Sequence, residues 1–91
     1  MKALKPLITR LGRDTSLLTS HVALFFALLA SWQRKGRAAP FQVNRRELMR
    51  ISKIGSVATY HRCIRQLSEK QYIIYQPSYH PKLGSQVDWP Q

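Results

Sequence analysis

Asn44 to Ile74 reads NRRELMRISKIGSVATYHRCIRQLSEKQYII, and the punctuation of this stretch decides the fold. Asn44 followed three residues later by Glu47 predicts a capping box, in which each side chain satisfies a backbone donor across the first helical turn. The helix it opens carries Leu48, Met49 and Ile51 inward and ends near Ser52. Lys53-Ile54-Gly55 is a turn, with Ile54 to plug the core and Gly55 free to take a positive φ. Ser56 is placed to cap the next helix, which runs to about Lys70. Tyr60, Cys63, Ile64, Leu67 and Gln71 recur at helical spacing and form its inner face. At about 100° per residue, that choice turns Ala58, Arg62, Arg65 and Glu69 outward and leaves Thr59, His61 and Gln66 on the flanks.

Upstream, Phe41-Gln42-Val43 alternates over just enough residues for a short edge strand. Before it, Thr15 to Lys35 contains nothing that breaks a helix, and Lys35-Gly36 ends it with a glycine after a basic last turn. Ser16, Ser20, Ala23, Ala27, Ala30 and Arg34 share one face of that helix; Leu17, Leu18, Val22, Phe25, Phe26, Leu28, Leu29 and Trp32 cover most of the rest. So wide an apolar surface predicts core on one side and a homodimer contact on the other. Residues 1–13, basic and interrupted by Pro6 and Gly12, read as an N-terminal arm, and the domain proper as 14–91. Downstream, Tyr72 to Tyr75 is β-rich, Pro77, Pro81 and Gly84 break the loop over 77–85, and Gln86 to Trp89 alternates as a return strand does. The order is helix, short strand, helix, turn, helix, strand, loop, strand, an α+β domain.

Fifteen Lys+Arg against four Asp+Glu give a net charge of +11 over 91 residues. Four carboxylates are a poor stock for acid–base catalysis, so an enzyme is not expected. The excess of cations points instead to a polyanion, either nucleic acid or an anionic membrane surface. The apolar run Val22 to Ala30 mimics the core of a signal peptide but is shorter than the ~20 residues a spanning helix needs. The single cysteine, Cys63, cannot form an internal disulfide, which fits the reducing cytoplasm. His61 and Cys63 stand about 200° apart on a helix, so no metal site is read from them. No cofactor or small-molecule site is evident either.

Between Arg34 and Arg65 the cations are Arg34, Lys35, Arg37, Arg45, Arg46, Arg50, Lys53, Arg62 and Arg65, against Glu47 alone. Arg45 and Arg46 stand in the first turn of a helix, the wrong end for its dipole, a cost that phosphate contact would explain. Ser56, Ala58 and Thr59 make the start of the next helix small and polar, able to approach base edges closely. The last loop carries Tyr79, His80 and Lys82, further polar and basic side chains on a polyanion reading.

These residues carry a resemblance. Asn44 to Ile74 is similar to the winged helix-turn-helix family of DNA-binding domains: Glu47-Leu48 sits in the first helix of the motif, and Ser56, Thr59 and Arg62 match an S-x-x-T-x-x-R pattern common in recognition helices. Leu67, followed by a polar stretch into Tyr72-Ile73, resembles the usual exit from helix to wing. The chain departs from the pattern in a turn one residue longer than the commonest form, and in Lys70-Gln71, which lacks the glycine usual before the first wing strand. The resemblance implies a three-helix core with a C-terminal β-hairpin wing, sequence-specific binding of double-stranded DNA and a role in transcriptional regulation. It implies that the helix over 56–70 enters the major groove and that the wing over about 77–85 touches the minor groove or backbone. Small size and a basic start also resemble short regulators on bacterial mobile elements, where replication or recombination is an alternative role. Two further readings stay open: a small basic RNA-binding protein, and a winged domain that binds protein through its first helix.

Overall fold

A computed structural model describes residues 4–78 and 84–90. Four helices and one three-stranded antiparallel sheet make an α+β domain in the order α1 (Leu4–Arg13), α2 (Thr19–Arg34), β1 (Phe41–Val43), α3 (Arg45–Ser52), α4 (Val57–Glu69), β2 (Ile74–Gln76) and β3 (Ser85–Asp88). The strands lie in the order β1-β3-β2, so β1 is an edge strand, pairing Phe41 with Val87 and Val43 with Ser85. Tyr75 faces Val87 from the other side. Phe41, Val43 and Val87 point into a core completed by Leu24, Phe25 and Leu28 of α2, Leu48 of α3, and Tyr60, Ile64 and Leu67 of α4.

Residues 4–13 are not an arm. They form α1, and Leu7 and Leu11 are buried in the core. Pro6 and Gly12, read from sequence as breakers, fall in the first and last turns. A proline in the first turn removes an N–H that has no intrahelical partner anyway. Arg10 fixes α1 to the end of α4: its guanidinium donates to the carbonyls of Lys70 and Gln71 at 3.1 and 2.9 Å and lies 4.0 Å over the Tyr72 ring. A cation there meets the negative end of the α4 dipole.

The helix expected from Thr15 begins four residues later, at Thr19. Asp14 is spent on a turn instead: one carboxylate oxygen accepts from the Ser16 backbone at 2.9 Å, the other from the Tyr72 hydroxyl at 2.8 Å. His21 then serves the start of α2, its Nδ1 accepting from the Leu18 N–H at 2.8 Å while Nε2 meets the Gln66 side chain at 2.6 Å. These bonds let a histidine lie buried where the sequence pattern makes it only an interruption of an apolar run.

Bonds to Ser16 and Tyr72 hold the Asp14 carboxyl down at about 2, against an ordinary value of 3.8. A depressed folded-state value contributes stability that is complete above the unfolded value and disappears as pH falls through the folded one. The wild-type thermal midpoint is therefore expected to fall more steeply between about pH 4 and pH 2 than that of Asp14→Asn. Equal slopes in a pH series of melts would show that the bonds do not favour the charged carboxylate.

Two helix ends show how one backbone device tolerates different residues. At the end of α2, Gly36 adopts φ +83°, and Arg37 N–H and Gly36 N–H reach back to the carbonyls of Trp32 and Gln33. At the end of α4, Gln71 adopts φ +64°, and Tyr72 N–H and Gln71 N–H reach back to Leu67 and Ser68. Both are Schellman ends, which need one left-handed residue. Gln71 thus takes the place of the absent glycine and leaves the inner face of α4, while Tyr72 and Ile73 are buried before the strand starts at Ile74. The α3–α4 turn shifts likewise: Lys53, at φ +65°, takes the left-handed position expected of Gly55. Gly84 is different, because at φ +62° a Cβ would stand 3.0 Å from the Val43 carbonyl. Only glycine lets β3 start that close to β1.

Candidate nucleic-acid interface

The outward face of α4 is built by its inward one. Tyr60, Cys63, Ile64 and Leu67 are buried, so Ala58, His61, Arg62 and Arg65 stand exposed, and Thr59 is half-buried. Ser56 caps the helix, its hydroxyl accepting from Thr59 N–H at 3.3 Å. Arg65 lies 3.8 Å from Glu69, one turn on, both exposed; a pair like that is worth at most a few tenths of a kcal/mol and leaves Arg65 free to exchange partners. Val57 was missed by the sequence reading. It is 44% exposed in the first turn of α4, beside Ala58, and its signal was an apolar residue outside the periodic inner set.

Arg45 and Arg46, both exposed, open α3. Asn44 caps that helix as expected, accepting from Glu47 N–H at 3.1 Å. The other half of the capping box is not made, because the Glu47 carboxylate takes Arg34 of α2 instead. Burial works against its charge, yet Arg34, the Ser31 hydroxyl and Lys35 outweigh burial and hold the group below the ordinary carboxylate range. The one acid among these cations is thereby neutralised locally, and Arg34 is removed from any phosphate-facing set. Lys35 is tied as well, donating to the Gln42 carbonyl. Among the described residues, Arg37, Arg45, Arg46, Arg50, Lys53 and Arg62 carry no ion pair.

Between the start of α3, the flank of α4 and the base of the β2–β3 hairpin runs a groove of about 490 Å³. Arg45, Arg46 and His61 line it together with Tyr60, Tyr75 and Gly84. Tyr60 lies edge-on to His61, ring centres 5.3 Å apart, and burial, together with Tyr75, pushes its hydroxyl up from the ordinary value. It adds a neutral hydroxyl to a groove that two arginines also line. A second groove, about 300 Å³, separates the start of α2 from the α3–α4 turn; Lys53, Ser56 and Thr59 line it. The sequence-predicted residues therefore divide: Arg45, Arg46 and His61 meet in one groove, Lys53, Ser56 and Thr59 in the other, and Ala58, Arg62 and Arg65 on the ridge of α4 between them. Tyr79, His80 and Lys82 lie outside the described residues.

Among the described residues no helix is long and apolar enough to cross a membrane, and no group of three His, Cys, Asp or Glu could hold a metal ion. Comparison with protein-family models, curated proteins and solved structures finds no match to this chain.

Proposed function

We propose that the chain is a winged helix-turn-helix domain that binds double-stranded DNA with sequence preference, as a transcriptional regulator does. The observation that carries this reading is the ridge of α4: small at its start, arginine-bearing one turn on, and flanked by cations without ion pairs. A ridge of that width suits the major groove. Arg45 and Arg46 hold the phosphate backbone from the start of α3, and Arg62 reaches base edges. A single-strand RNA binder stacks bases on aromatic rings of its basic face, and on this one Tyr60 is buried and Tyr75 half-buried.

Site selection from a random duplex library at about 150 mM salt, where nonspecific binding is weak, tests the reading. Enrichment of a defined motif is expected; binding with no enrichment would leave charge alone and overturn the sequence preference. Val57 and Ala58 add a finer expectation, since apolar side chains at a helix start can pack on the thymine C5-methyl group. Replacing the contacted thymine by deoxyuridine should weaken wild-type binding about fourfold, the equivalent of one buried methyl-sized group. Val57→Ser should bind both duplexes equally. Wild-type affinity indifferent to that methyl group would remove Val57 from the interface.

A further inference from the structure

Helix α2 carries a surface that the basic face does not use. Leu18 and Phe26 are 58% and 50% exposed, and the half-buried Val22 and Leu29 lie along the same side. Positions 22, 26 and 29 fall at i, i+4 and i+7, one stripe of α2, and Leu18, the extended residue that caps the helix, precedes it. Leu24, Phe25, Leu28 and Trp32 occupy the other side and are buried in the core that α2 shares with α3 and α4. Val22 and Leu29 pack in part against that core, and Leu18 and Phe26 stand clear of it. Two large apolar side chains left in water on either side of Val22 mark a contact surface.

Charge identifies what covers it. From Thr15 to Gln33 there is no Lys, Arg, Asp or Glu, in a chain of net charge +11. A nucleic acid or an anionic lipid surface is drawn to the arginines, not to this stripe. Two copies of the chain repel each other through almost every other approach, and least through this one. The stripe is also complementary to itself. Two α2 helices laid antiparallel about a two-fold axis at Val22 set Leu18 of each copy against Phe26 of the other. Leu18 to Phe26 spans about 12 Å, enough for two turns of interdigitated side chains.

We propose that the chain forms a symmetric dimer through Val22 and Phe26 of α2 and Leu18 at its cap, with the two helices antiparallel about an axis near Val22. This surface is independent of the DNA reading and is tested without DNA. Sedimentation equilibrium of the full chain at tens of micromolar is expected to give twice the monomer mass. Added salt should tighten the dimer, because screening weakens repulsion between two highly basic copies, whereas salt loosens DNA binding. Phe26→Glu should give a monomer with an unchanged far-ultraviolet circular dichroism spectrum, since that side chain is half in solvent. Val22→Cys should oxidise to a disulfide-linked dimer, while a cysteine in place of exposed Gln76 on β2 should not. Monomer mass at all concentrations and salts would overturn the dimer. Twofold mass persisting in Phe26→Glu, or no cross-link through Val22→Cys, would overturn this face and axis.

Discussion

Trp89→Ala is expected to remove most of the stability of the domain. Trp89 is 1% exposed just beyond β3, and its ring meets Phe25 at 5.6 Å, Trp32 at 5.7 Å and Phe41 at 5.6 Å. It is the side chain through which α2 and β1 pack against the end of the chain's last strand. Truncating a buried Trp to Ala costs about 3–5 kcal/mol, while a domain of this size has only roughly 5–10 kcal/mol in total. With a urea slope near 1 kcal/mol/M, the midpoint should fall by about 3 M or more. Trp89→Phe should cost much less. It keeps an aromatic ring against three others and removes an indole N–H that is buried without a partner, a group whose desolvation is otherwise uncompensated. Urea melts of the two variants check this; equal losses would mean that ring size, not aromatic contact, sets the stability at this position.

Which parts of this architecture were legible in the residues follows from where their partners lie. α4 was legible because its determinants are local: Ser56 caps its own helix, and Tyr60, Cys63, Ile64 and Leu67 repeat at the helical period. The short edge strand at Phe41–Val43 was legible for the same reason. The misreadings share a different cause, a polar side chain whose partner is distant in sequence. Glu47 belongs to Arg34 rather than to the Asn44 backbone, and Asp14 belongs partly to Tyr72 rather than to a helix start. Arg10 binds the carbonyls that end α4, so a basic segment that reads as a free arm is a docked helix. Glycine was also an unreliable marker of left-handed backbone. Lys53 and Gln71 hold such positions because the turns around them are fixed by Ile54 and Tyr72 plugging the core. For the interface, exposure of Arg45, Arg46 and Arg62 could be read from the helical period. Pairing could not, and pairing separates Arg34 and Lys35, which hold the fold, from the cations without an ion pair.

That separation sets the largest functional effect expected. If Arg37, Arg45, Arg46, Arg50, Lys53 and Arg62 neutralise about six phosphates between them, log affinity should fall with log salt at a slope of about −5, a loss near a thousandfold between 50 and 200 mM. Arg46→Ala should reduce the slope by about one and weaken selected and random duplexes alike, because a phosphate contact positions the protein without reading sequence. Arg62→Ala should instead cost about 1–3 kcal/mol on the selected duplex and little on random DNA, narrowing the preference. Neither result can be blamed on unfolding. Both side chains are exposed and without ion pairs, and removing a cation from the first turn of α3 relieves an unfavourable dipole interaction. The thermal midpoint of Arg46→Ala should therefore stay level or rise while its affinity falls. Titrations of both variants on both duplexes across a salt series make the comparison. Equal losses on random DNA would reduce Arg62 to another phosphate contact and move base reading elsewhere on the ridge. A flat salt series would remove the polyanion itself, because released counterions supply that slope to a face whose acids, Glu47 and Glu69, already stand against Arg34 and Arg65.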